Sequence, residues 1–83
     1  MTVSVAVVGS ANLDIILCVA RRPVAGETIL GQSLKEAVGG KGVNQAMSAA
    51  RIISTAFVGA VGRDSAGRRI EETLTGAGVN IDY

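Results

Sequence analysis

The sequence predicts an α/β fold, a parallel sheet with crossover helices, and three observations carry that expectation. Short β-branched runs alternate with segments whose apolar residues recur at helical spacing. The order strand, helix, strand favours parallel pairing through a crossover. Glycine-rich turns fall where strand-like segments give way to helix-like ones.

Val3 to Val8 (VSVAVV) is a short β-branched run closed by Gly9-Ser10 and has the character of a buried strand. Leu13 to Val19 is a second extended run, ended by Arg21-Arg22-Pro23 and a turn before Gly26. Thr28–Leu30 and Leu34–Val38 are shorter apolar patches separated by Gly31-Gln32-Ser33, which suggests a hairpin-like excursion. The period then changes: Val43, Ala46, Met47, Ala50 and Ile53 lie on one helical stripe. Ser54 to Val61 returns to strand character. Ile70, Leu74 and Ala77 mark a second helix, with Asp64 or Ser65 able to cap its start and Gly76 or Gly78 its end. Val79 to Tyr83 has the character of the start of another strand. Two core strands alone would leave a parallel sheet with open edges and an uncovered face.

Composition narrows the possibilities. With 83 residues, 48% of them hydrophobic, the chain can form one small domain, and such a domain buries only about 60–65% of its unfolded surface. Phe57 and Tyr83 are its only aromatics, so Val, Ile, Leu and Ala must build a thin core. One cysteine and no histidine exclude a disulfide framework and a Cys/His metal cluster. A net charge of +1 argues against a nucleic-acid partner. The apolar N-terminal twenty residues lack a basic flank and are interrupted by Gly9, Ser10, Asn12 and Asp14, so neither a signal peptide nor a membrane span is expected. A cytoplasmic location follows as an expectation, in keeping with the lone Cys18.

Two loops are candidates to carry chemistry. In Gly39-Gly40-Lys41-Gly42-Val43-Asn44, three glycines in four positions let the backbone approach a ligand at a helix N-terminus, where free amides and the helix dipole favour anions or sugar oxygens. Asn44 can donate and accept in the first turn. The nucleotide P-loop pattern fails here, with Lys35 and Gly42 at its required glycine and hydroxyl positions. The dinucleotide fingerprint fails at Gln45. A tight turn needing glycines for steric reasons is the plain alternative. In Gly9-Ser10-Ala11-Asn12-Leu13-Asp14, an Asn and an Asp two residues apart in extended chain point to one side, and a carboxylate can accept from two neighbouring hydroxyls. An Asx turn at the strand end is the alternative there. Arg21-Arg22 and Arg68-Arg69 have the character of solvated surface pairs, and Cys18 lacks a histidine partner for nucleophilic work.

Together, Val-Val-Gly-Ser-x-Asn-x-Asp (7–14), Gly-Glu-Thr (26–28), Gly-Gly-Lys-Gly-x-Asn-Gln-Ala (39–46) and Val-Gly-x-Asp-x-x-Gly (61–67) resemble the N-terminal part of the ribokinase-like (PfkB) carbohydrate kinases. The resemblance covers essentially the whole chain, and it is the order of four motifs that makes it specific. Ala66 and Arg63 depart from residues common in the family. The resemblance implies an α/β sandwich with a small β lid, residues 1–83 forming a partial domain with lid strands at about 13–19 and 27–38. It implies ATP-dependent phosphorylation of D-ribose to ribose 5-phosphate, with Mg2+, and sugar contacts at Asn12, Asp14, Gly40, Lys41 and Asn44. It implies that lids can pair in a homodimer. It places the catalytic Asp, in a Gly-Ala-Gly-Asp turn, and the nucleotide pocket in a C-terminal portion this chain does not contain, so the 83 residues alone are expected to be inactive. A kinase for another sugar or a nucleoside, fructokinase-like or adenosine kinase-like, and a non-enzymatic module assembling through the lid are the alternatives.

Overall fold

The computed structural model describes residues 2–82; Met1 and Tyr83, and with Tyr83 the end of the strand-like tail, lie outside it. Six elements follow in chain order: β1 (Val5–Val8), β2 (Asn12–Val19), β3 (Gly31–Gly39), α1 (Lys41–Ala50), β4 (Thr55–Val58) and α2 (Ser65–Gly76). β1 and β4 pair in parallel, Val5 opposite Thr55 through Val8 opposite Val58, with α1 as the crossover. Beyond β4 the tail adds one parallel bridge between Asn80 and Ala56, held by Phe57 N–H to Asn80 O and Asn80 N–H to Thr55 O, both 2.9 Å. The strand-like character of the tail is thus realised among the described residues as a single bridge.

β2 and β3 form a separate antiparallel hairpin, Asn12 opposite Gly39 through Val19 opposite Gly31, with a bulge at Cys18/Val19. Here the structure corrects the sequence expectation. Gly31-Gln32-Ser33 is not a separator but the first part of β3, and Thr28–Leu30 carries no strand. The ladder to β2 supplies the hydrogen bonds that favour extension, and Gly31 fits because Leu17 lies across it: a Cβ there would come 2.4 Å from Leu17 Cδ1.

The core gathers Val43, Ala46, Phe57, Ile70, Leu74 and Val79 between β4 and the two helices. β1 is not the fully buried strand its β-branched run suggests: Val5 and Val7 are half-buried, while Ala6 and Val8 are exposed. α2 starts where Asp64 caps it, its carboxylate accepting from Gly67 N–H at 2.8 Å. It ends in a Schellman motif, with Gly78 at φ +83, Val79 N–H on Leu74 O and Gly78 N–H on Thr75 O. Ile53, placed on the apolar stripe by spacing, falls after α1 and is 44% exposed.

Candidate functional site

The junction of three segments builds the site: the loop after β1, the start of β2, and the turn from β3 into α1. Asn12 and Asp14 stand two apart on β2 and therefore share a face. Asn12 Nδ2 donates to Asp14 Oδ1 at 2.6 Å, which fixes the carboxylate in one orientation. The register of β2 on β3 sets both side chains over the glycines. A Cβ on Gly39 would lie 2.7 Å from Asp14 Oδ2, and one on Gly40 would lie 2.8 Å from Asn12 Oδ1. Asp14 is exposed, so its position in an apolar run reflects a solvent-facing strand position rather than a buried charge.

Gly40 is the N-cap of α1, at φ +104 and ψ 143, and no side chain caps the helix. Its first turn carries no acidic residue, so the amide end of α1 keeps its positive character. Val43 N–H donates to Ser10 O at 3.3 Å, which docks the first turn on the loop after β1. Gly42 makes that docking possible, because a Cβ there would stand 2.7 Å from Ser10 O and 2.8 Å from Ser10 N. The steric reading of the glycines therefore holds at both positions: Gly42 lies against the Ser10 backbone, and Gly40 lies against the Asn12 side chain and the Ser10 carbonyl.

Asn12, Asp14 and Gly40 are brought together, and Lys41, exposed, is the first residue of α1 beside them. Asn44 lies one turn along the helix, where it lines a shallow groove of about 540 Å³ with Met47, Ser48, Arg51 and Ala77. A tighter cavity of about 60 Å³ lies elsewhere, between β4 and α2, lined by Phe57, Val61, Ile70, Leu74 and Ile81. It is far below the roughly 300 Å³ at which small-molecule pockets begin, and its walls belong to the core. Gly39 belongs to the glycine cluster that the sequence marks; the docking of Gly42 and Val43 on the Ser10 backbone is not marked by spacing, and the one available signal is that small residues face each other where two turns must touch.

Chemically, the corner offers a carboxylate oxygen and an amide oxygen as acceptors, with backbone amides and Lys41 as donors. That mixture suits a neutral polyol, each hydroxyl of which both donates and accepts. Among the described residues, no group of three or more His, Cys, Asp or Glu gathers as a metal site.

The chain is 44% identical over 81 residues to ribokinase of Bacillus subtilis, covering 96% of this chain and 28% of that protein. It is 46% identical over 80 residues to ribokinase of Arabidopsis thaliana, covering 93% of this chain and 21% of that protein. The solved structure of Arabidopsis thaliana ribokinase complexed with ribose and ATP superimposes with a TM-score of 0.86 at 44% identity, over 100% of this chain and 28% of that one. The chain thus spans about a quarter of the length of the relatives it matches. The family model described as pfkB family carbohydrate kinase matches residues 2–83, and the chain belongs to that family.

Proposed function

We propose that this chain is the sugar-binding part of an ATP-dependent kinase that converts D-ribose to ribose 5-phosphate. The observation that carries the reading is the Asn12–Asp14 pair set over Gly39–Gly40, in a chain whose relatives along its whole length are ribokinases. In this reading Asp14 and Asn12 accept from neighbouring ribose hydroxyls, and Gly40, Lys41 and Asn44 supply the second group of contacts. The 5-hydroxyl oxygen bonds to the γ-phosphorus of ATP, the bond from that phosphorus to the bridging oxygen breaks, ADP leaves and the hydroxyl proton is released. ATP and Mg2+ belong to the proposal as donor and counterion, with no ligand to either assigned on this chain. The kinase is placed in the cytoplasm, supported by the free thiol of Cys18. A homodimer through the β2–β3 hairpin is also proposed, supported by the exposed Ile15, Leu17 and Leu34 on one of its faces.

The test is ADP release by the complete polypeptide with ribose, fructose or adenosine as acceptor. Ribose is expected to be preferred, and refusal of ribose with turnover of another acceptor would transfer the reading to that substrate. Asp14→Asn removes a charge-assisted hydrogen bond of about 1.5–3 kcal/mol, which corresponds to a loss of roughly 10- to 100-fold in kcat/KM for ribose. An unchanged kcat/KM would remove Asp14 from the sugar site.

A further inference from the structure

The β2–β3 hairpin carries Asn12 and Asp14 on one face, and the facing residues on β3 are Gly39 and Ala37. Glu36, paired with Ile15, belongs to the opposite face. There Arg69 of α2 meets it: Nη1 donates to Glu36 Oε2 at 2.9 Å and Nη2 to the Glu36 carbonyl at 3.3 Å. Among the described residues this is the only side-chain hydrogen bonding between the hairpin and the helices. The neighbouring Ile70 is buried in the core, so the base of the Arg69 side chain is fixed to the body of the molecule. Arg69 is thus a surface residue, as its Arg-Arg sequence context suggests, but one that is paired across elements.

We propose that Arg69 is a positioning residue, a brace that sets the tilt of the hairpin and through it the placement of Asp14 against the N-terminus of α1. The hairpin joins the body at Ser10–Asn12 and Gly39–Gly40, and Glu36 lies three residues, about 10 Å, along β3 from that root. A root alone leaves a two-stranded hairpin freer to swing; a second attachment at Glu36 restrains it. Both ends of the pair are partly exposed, with side-chain exposures of 49% and 41%, so the pair adds little to folding stability. Its effect falls on geometry. Binding through the guanidinium fork to both a carboxylate and a main-chain oxygen ties the strand itself, which a flexible ammonium does less well.

This inference rests in part on the ribose-kinase reading, and the experiment separates the two. In the complete polypeptide, Arg69→Met is expected to speed amide exchange in β2 and β3 several-fold, with the melting temperature nearly unchanged. KM for ribose is expected to rise about three- to tenfold while kcat stays within twofold. Glu36→Gln should give the same pattern more weakly, since the carbonyl contact remains, and the double variant should be no worse than Arg69→Met. Arg69→Lys should recover part of the KM change. Amide exchange in the hairpin identical to that of the parent protein would overturn the brace, whatever the substrate proves to be. Faster exchange with an unaltered KM would overturn its role in placing Asp14. A failure of the parent protein to use ribose counts against the kinase reading alone, and the exchange measurement still decides the brace.

Discussion

Gly40 shows how a single residue ties fold to site. Its φ of +104 lies where side chains are strained, and a Cβ there would press on both Asn12 Oδ1 and Ser10 O at 2.8 Å. Gly40→Ala is expected to cost about 1–3 kcal/mol from backbone strain, with a rise in ribose KM because the Asn12 side chain must move. Thermal unfolding and a ribose titration check this; an unchanged melting temperature would mean that the turn relaxes. The placement of Asn12, Asp14 and Gly40 was legible in the sequence because it depends on two short-range rules, the two-residue period of a strand and the need for glycine at a crowded helix start. Two things were not legible. The exposure of Asp14 depends on β2 lying in a two-stranded hairpin rather than in the main sheet, and the groove beside Asn44 depends on where the end of α2 comes to rest. Both are set by contacts distant in sequence.

Among the elements, the helices and the β1–β4 pair were the most legible, since apolar period, the Asp64 cap and the Gly78 stop are local signals. The hairpin was less so. Gly31-Gln32-Ser33 has the composition of a turn, and only the ladder to Cys18 and Val19 makes it strand. The arginine partners were hidden for the same reason: Arg69 finds Glu36, 33 residues away. Arg21 forks onto Glu27, donating from Nη1 to Oε1 at 2.7 Å and from Nη2 to Oε2, and Val24 N–H donates to Oε1 at 3.0 Å. Glu27 N–H closes the turn on Val24 O, with Gly26 at φ +78. The Arg21 guanidinium, aided by the Val24 amide, holds the Glu27 carboxyl below the usual carboxylate range. Because the folded value is the lower one, this contribution is complete above the unfolded carboxyl's value of about 4.3 and fades as pH falls through the depressed folded value. Exchange of the Val24 amide, after correction for its intrinsic pH dependence, is expected to stay protected from neutrality to about pH 5 and to lose protection below about pH 4. Glu27→Gln should show weakened protection at every pH. If the pH profile of the parent were flat, the fork would not be closing this loop.

At the scale of the whole molecule, the radius of gyration is 16.3 Å, with extents of 53 × 26 × 19 Å. A compact chain of this length would have a radius near 12 Å. The excess comes from the hairpin, which reaches out from the core instead of folding onto it, and its reach leaves Ile15, Leu17 and Leu34 at 57–67% exposure on the face shared with Glu36. Val8 and Ile52 add exposed apolar surface elsewhere. Apolar residues arrayed on both strands of a two-stranded sheet form a patch that water disfavours, and the free backbone edges beside it invite pairing. A second copy offers a patch of the same chemistry with the same spacing, as a two-fold interface requires. The 83-residue chain is therefore expected to sediment as a dimer or larger species at micromolar concentration, and Leu34→Asp to shift it towards monomer without loss of helical circular dichroism. Release of ADP from ATP and ribose should remain at background in both forms, because association completes a surface but adds no phosphoryl-transfer machinery. A well-folded monomer of the parent chain would show that the hairpin face is tolerated in water and needs no partner copy, and ribose-dependent turnover would show that these residues hold phosphoryl-transfer groups beyond the sugar contacts proposed at Asn12, Asp14 and the α1 N-terminus.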